Sequence, residues 1–135
     1  MERINFSLRH TYSAERGIEL PIELRLVGSK IVRINANVDT GASFCIFQRE
    51  YGEQLGLDIE RGVHEFVRTA DGGRIELFGH NVLMTCLDWD TDSLVFFAKD
   101  YSYKRNVLGQ RGWLDQFKIG IVHYDGALYL SPYNE

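Results

Sequence analysis

The residues with the clearest chemical potential are Asp39, Thr40, Gly41, Ala42 and Ser43, which follow an apolar run and begin a loop. Two carboxylates held close together cannot both ionise easily, so one keeps a proton while the other can act as a base. Such a pair can activate a water molecule. A glycine beside the aspartate lets the backbone approach the carboxylate closely, and a small alanine leaves room for a bound molecule. The run therefore provides one carboxylate that could take part in such a pair.

The elements that must position this run are short strands. Apolar and polar residues alternate at 4–8, 20–26 and 31–38, and Gly, Asp or Asn residues separate the segments, which predicts an all-β fold. Further strands are expected at 63–70, 74–78, 81–87, 93–98, 119–123 and 127–130. Two short helices are predicted, one at 48–55 and one at 111–117. The glycine-rich turn between the strands at 63–70 and 74–78 predicts a hairpin with its tip at residues 71–73.

This order of elements resembles that of the retropepsin-like aspartic proteases. The resemblance is carried by the run at 39–43, the strand pair at 19–26 and 30–38 that leads into it, the glycine-tipped hairpin at 66–75, and the segment Asn106-Val107-Leu108-Gly109. It extends over residues 18–131, nearly the whole chain. The resemblance implies an all-β, closed-barrel lobe with a flap hairpin and one short C-terminal helix. Residues 18–135 would form the domain, and residues 1–17 an N-terminal strand or arm.

The resemblance also implies an aspartic endopeptidase that needs neither a cofactor nor a metal. The sequence holds a single Asp-Thr-Gly run, so two copies of the chain would have to supply the two carboxylates as a homodimer, around a twofold axis. Asp39, Thr40 and Gly41 would be the catalytic residues: Asp39 would activate water, Thr40 would brace the two loops, and Gly41 would present its N–H group to the carboxylate. The peptide or protein substrate would be bound by Ala42, Ser43, Ala70, Asp71, Gly72 and Gly73, the tip residues forming a mobile lid.

Three positions depart from the pattern of these proteases. Cys45 stands where serine or threonine is usual, and Gln110 follows Gly109 where arginine is common. Ser43 also stands where several viral enzymes have aspartate. If the residues at positions 43 and 110 pair in those enzymes, both charges are missing here together, which leaves a neutral contact rather than an unpaired charge. These departures leave two alternatives open. One is a non-catalytic peptide-binding or dimerisation module of the same fold, and the other is a structural domain in which Asp39 is an ordinary turn residue.

Composition excludes several other classes of protein. The 135 residues carry a net charge of −4 without a basic stripe, which argues against a nucleic-acid partner. No apolar run is long enough to span a membrane, and the first residues lack the apolar core of a signal peptide, so a cytoplasmic location is expected. The four His and two Cys lack metal-ligand spacing. The acidic stretch at 88–92 is not an EF-hand and is predicted to be a solvated loop.

Overall fold

The structure is a computed structural model that describes residues 2–135. The strands are β1 (Leu8–Thr11), β2 (Glu19–Arg25), β3 (Val32–Val38), β4 (Ile46–Phe47), β5 (Val63–Arg68), β6 (Arg74–Cys86), β7 (Trp89–Ala98), β8 (Val107–Leu108), β9 (Phe117–Val122) and β10 (Ala127–Pro132). The helix α1 spans Arg49–Gln54, and 3-10 turns lie at Ala14–Arg16, Ile59–Arg61, Leu114–Gln116 and His123–Asp125. Within residues 2–135 the helices are all too short and polar to cross a membrane. These bounds confirm the all-β prediction.

The main sheet contains seven strands in the order β2-β3-β8-β4-β7-β6-β5. Because β2 also pairs with β6, the strand order returns to its starting strand and the sheet curls around a core. Inward-facing residues of β2 and β3 alternate with outward ones, and Leu20, Leu24 and Ala36 are fully buried. Period-2 alternation is what a sheet with one buried face requires. The alternating sequence pattern therefore predicts β2 and β3, the first two strands of this sheet.

A second sheet has the order β1-β10-β9 and is antiparallel throughout. The chain turns between β9 and β10 at Gly126, which adopts the left-handed conformation with φ of 59°. A side chain there would also lie 2.7 Å from the Tyr12 carbonyl oxygen. The residues before β1 lie over this sheet, where the Phe6 ring covers Gly120 and packs near Tyr129. Of the N-terminal arm predicted for residues 1–17, residue 1 lies outside the described residues.

A small apolar cluster lies apart from the main core, beneath the hairpin that β5 forms with β6. It consists of the buried residues Phe44, Ile46, Leu77, Phe96 and Ala98. The Phe44 and Phe96 rings lie 4.6 Å apart, centroid to centroid. The cluster ties the loop that follows β3 to the central strands, so this loop rests on packed side chains.

The structure corrects two expectations for residues 74–92. The segments predicted at 74–78 and 81–87 are one continuous strand, β6. The acidic stretch at 88–92 is not a loop, because Trp89 already begins β7 after a two-residue turn at Leu87 and Asp88. In β7 Asp90 and Asp92 are exposed while Trp89 and Thr91 face inward, so the alternation continues through the acidic residues.

The single C-terminal helix expected at 111–117 is also corrected. Arg111 forms a bridge with Phe44, and Gly112 has a φ of +101°, so the chain is not helical there. Only Leu114–Gln116 forms a 3-10 turn, and Phe117 begins β9. The helix predicted at 48–55 is present as α1. The N-terminal strand expected from residue 4 begins only at Leu8.

Candidate active site

Asp39 begins the loop that follows β3. The strands at the two ends of this loop, β3 and β4, pair with opposite edges of β8. The end of β3 pairs in parallel with β8, and the Asp39 N–H group donates to the Leu108 carbonyl at 3.0 Å. The loop returns as β4, where Ile46 pairs antiparallel with Val107 on the other side of β8. Both ends of the loop therefore depend on a strand from much later in the chain.

The Asp39 carboxylate is held by the backbone of its own loop. The Gly41 N–H group donates to Asp39 Oδ1 at 3.0 Å, and the Ala42 N–H group donates to the Asp39 carbonyl at 3.2 Å. A Cβ atom at Gly41 would lie 3.4 Å from Asp39 Oδ1, an ordinary contact distance. The Asp39 side chain remains 38% exposed. The carboxylate is thus oriented by one hydrogen bond and is open to an incoming group.

The segment from Gly109 to Arg111 braces the loop from behind. The Gln110 and Arg111 N–H groups donate to the carbonyls of Ala42 and Ser43 at 2.8 and 3.0 Å. The Gln110 side-chain amide donates to the Thr40 carbonyl at 2.8 Å. At Gly109 a Cβ atom would lie only 2.1 Å from the Phe44 carbonyl oxygen, so no side chain fits. The neutral Gln110 therefore makes a direct contact with the loop that carries Asp39.

Cys45 is fully buried at the end of the same loop. Its Sγ accepts a hydrogen bond from the Gly109 N–H group at 3.4 Å. Burial raises the pKa of the Cys45 thiol to about 12, partly offset by this hydrogen bond. A thiol with such a pKa stays protonated near neutral pH and is a poor nucleophile. Cys45 thus packs behind the site and is the hydrogen-bond acceptor for the Gly109 N–H group.

Arg105 was not identified from the sequence. Its Nη2 lies 3.9 Å from Asp39 Oδ2, and its side chain is 64% exposed. Tyr103 lies close to both charges, and its pKa is raised, first by burial and then by the Asp39 charge, against the opposing effect of Arg105. The only available signal was that Arg105 directly precedes the segment Asn106-Val107-Leu108-Gly109. A single arginine beside a short strand is too common to single out, and its proximity to Asp39 depends on the pairing of β3 with β8.

An open cleft of about 860 Å³ lies between the loop and the β5–β6 hairpin. Asp39, Gly41, Ala42, Ser43 and Ala70 all line it. Its apolar wall is formed by Phe44, Ile46, Val67, Ile75, Tyr103 and Val107. Charged side chains from Glu65, Arg68, Arg105 and Arg111 also border it. A cleft with apolar walls and a few convergent polar groups is typical of a binding site.

The other predicted site residues lie outside the lining of this cleft in the part of the chain that is described. Thr40 is exposed. Asp71, Gly72 and Gly73 form the exposed hairpin tip, where Gly72 has a φ of +88°. The Asp71 carboxylate accepts hydrogen bonds from the Thr69 hydroxyl and from the Gly73 N–H group, and these two bonds lower the pKa of Asp71. The tip is therefore an ordered turn above the cleft.

Residues 2–135 contain no group of three or more His, Cys, Asp or Glu side chains arranged to hold a metal ion.

The chain was compared with known proteins on sequence and on structure. Its sequence matches no protein-family model and no curated protein. Its structure is similar to that of a retropepsin-like aspartic protease from Rickettsia conorii, with a TM-score of 0.66, 19% identity, and coverage of 92% of this chain and 97% of that one. It is also similar to EIAV protease in complex with the inhibitor HBY-793, with a TM-score of 0.56, 16% identity, and coverage of 74% and 88%.

These similarities show that the chain has the fold of the retropepsin-like aspartic proteases. They span most of the chain and nearly the whole length of both solved structures. The resemblance inferred from the sequence is thus confirmed at the level of the fold, while identities of 16% and 19% say nothing on their own about activity.

Proposed function

We propose that the protein is an aspartic endopeptidase that acts as a homodimer. The observation that carries this proposal is the exposed carboxylate of Asp39, oriented by Gly41 at the border of an open cleft of about 860 Å³. The Asp39 carboxylate contributes little to the stability of the fold, because the one hydrogen bond that it accepts comes from Gly41 in its own turn. The likeness in fold to two aspartic proteases supports the same assignment.

The proposed chemistry needs two copies of Asp39. One carboxylate is ionised and removes a proton from water, and its symmetry mate holds a proton and donates it to the peptide carbonyl oxygen. The water oxygen bonds to the carbonyl carbon and forms a tetrahedral intermediate. The carboxyl group that took the proton from water then passes it to the amide nitrogen, the C–N bond breaks, and the other carboxylate takes back a proton from a hydroxyl of the intermediate.

The remaining predicted residues take supporting roles in this proposal. Gly41 orients the carboxylate, and the exposed Thr40 faces the second copy and braces the two loops. Ala42, Ser43 and Ala70 contact the bound peptide. The tip at 71–73 closes over the peptide as a lid and limits the access of water.

The second sheet is the surface that we propose for dimerisation. The outer edge of β9 is unpaired in the described chain, and Ile121 on it is 43% exposed. The other edge, β1, bears the charged Arg9 and the polar His10 and Thr11. An exposed apolar edge strand readily pairs with another chain. We further propose that residues 1–17 form an arm that steadies this sheet.

The two free, buried thiols suit a reducing compartment such as the cytoplasm.

Replacement of Asp39 by asparagine tests the proposed activity. Asp39→Asn should reduce cleavage of a peptide library by at least about a thousandfold, since it removes the ionisable group of both protomers. The thermal midpoint should hardly change, because the carboxylate makes one exposed hydrogen bond. Asp125→Asn, in an exposed turn, is the matched control and should cleave like the wild type. Undiminished cleavage by Asp39→Asn would refute the proposal, and peptide binding without any wild-type cleavage would identify a binding module instead.

A further inference from the structure

The charge of the cleft differs from that of the whole chain. The protein carries a net charge of −4. Three cations, Arg68, Arg105 and Arg111, and two anions, Asp39 and Glu65, are the described charged residues that line the cleft. The excess of one positive charge favours ligands of the opposite sign. The cleft is thus locally basic within an acidic protein.

Arg105 is the cation closest to the proposed chemistry. Its Nη2 lies 3.9 Å from Asp39 Oδ2, whereas the Arg111 guanidinium is held over the Phe44 ring at 5.3 Å from its centroid. The ion pair of Arg105 with Asp39 is long and its guanidinium is mostly exposed, so it costs little to exchange one carboxylate partner for another. The planar guanidinium is well suited to bind a carboxylate through two parallel hydrogen bonds.

We propose that Arg105 makes the cleft selective for peptides with an acidic residue next to the cleaved bond. This inference rests on the proposed function, since it takes Asp39 as the residue facing the scissile bond. The Asp or Glu side chain binds the Arg105 guanidinium, which leaves Asp39 and frees that carboxylate to interact with water. In a twofold dimer each protomer supplies one Arg105, so the residues on both sides of the cleaved bond meet an arginine.

The apolar wall of the cleft defines the rest of the substrate class. Val67, Ile75 and Tyr103 belong to the cleft lining and pack against the small cluster around Phe44. Aliphatic or aromatic side chains further from the cleaved bond gain stability by burial against this wall. The substrate is therefore an extended peptide with an acidic residue beside the cleaved bond and apolar residues flanking it.

Matched peptides that differ only by Glu or Gln at the position before the cleaved bond test this selectivity. At a pH above about 5, where a free Glu is ionised, the wild type should cleave the Glu peptide about tenfold more efficiently in kcat/KM. Arg105→Gln should remove this ratio, and Arg105→Glu should reverse it in favour of a Lys peptide. Arg33→Gln is the matched control, because Arg33 also lies in an exposed ion pair of 3.9 Å, with Glu23. It should keep the wild-type ratio.

Binding separates this inference from the proposed function. The same peptides, fluorescently labelled, should bind the Asp39→Asn protein with about a tenfold preference for Glu over Gln, and Asp39→Asn/Arg105→Gln should lose it. Cleavage without a Glu preference overturns the role of Arg105 and leaves the peptidase assignment intact. A Glu preference in binding without wild-type cleavage supports the role of Arg105 and overturns the peptidase assignment. Equal binding and no cleavage overturn both.

Discussion

The side-chain amide of Gln110 donates a hydrogen bond to the Thr40 carbonyl oxygen at 2.8 Å. This contact joins the segment after β8 to the loop that carries Asp39. It is neutral at both ends, so it carries no charge into the region where two protomers would meet. Gln110 thus stands where the resemblance predicts an arginine, and its side chain contacts the backbone of the loop.

Removal of this contact should affect activity more than stability. Gln110→Ala leaves the Thr40 carbonyl exposed to water and should cost about 1 kcal/mol in the free energy of unfolding. The loop then loses a brace next to Asp39, and we expect kcat/KM to fall about tenfold, because small displacements of catalytic groups are costly. Steady-state kinetics and denaturant unfolding measure the two effects. Gln54→Ala, on the exposed face of α1, should change neither, and unaltered kinetics in Gln110→Ala would contradict the bracing role.

A methyl group at Gly109 should destabilise the protein. The added Cβ would lie 2.1 Å from the Phe44 carbonyl oxygen and 2.8 Å from that of Ala42, both backbone atoms that cannot turn away. We expect Gly109→Ala to cost about 3 kcal/mol, measured by urea unfolding. Gly120→Ala is the comparison, since its Cβ would meet the Phe6 ring at 3.0 Å and that side chain can shift. Equal stability of the two variants would show that the loop yields more easily than its packing indicates.

The two cysteines should be unreactive in the folded protein. Burial raises the pKa of Cys45 to about 12 and that of Cys86 to about 11, from an ordinary value of 9.0. Thiol titration with a disulfide reagent at pH 8 should therefore label neither residue until the protein is denatured, when both react. Rapid labelling of the native protein would show that the loop at Cys45 opens frequently.

The raised pKa values of Cys45 and Cys86 also predict how the stability of the protein changes at alkaline pH. Both thiols have a higher pKa in the folded protein than the ordinary 9.0, so the folded state retains protons that the unfolded state releases. Their contribution to stability is complete below about 9 and declines as pH rises through 11 and 12. The unfolding free energy of Cys45→Ala, measured across this range, should decline less steeply than that of the wild type.

An acidic residue at the edge of β9 should disrupt the proposed dimer. Ile121 is 43% exposed in the single chain, so Ile121→Glu should hardly change the stability of the protomer. A charge on an edge strand opposes pairing with a second copy. We expect sedimentation to show a shift to monomer and cleavage to fall in parallel. Thr11→Glu, on the opposite edge at β1, is the matched control, and a monomer shift in that variant alone would place the interface there.

Much of the fold was predictable because strand patterns are local. Alternation along β2 and β3 and the glycine tip at residues 71–73 depend on neighbours in the chain. The prediction of a loop at 88–92 was wrong. Asp90 and Asp92 occupy exposed positions of β7, and the inward-facing residues beside them continue the alternation of the strand. The prediction of a helix at 111–117 was wrong because Arg111 pairs with Phe44. This contact between distant segments overrides the local helical preference.

The sequence by itself determined the type of fold and the candidate residue Asp39, because both are expressed in short patterns of residue types. Only the tertiary structure decided what surrounds the Asp39 carboxylate. Arg105 lies beside it, and Gln110 holds its loop, because β8 pairs with β3 and β4 across a long interval of sequence. Such proximity arises from strand pairing between distant segments, and no local pattern of residues specifies it.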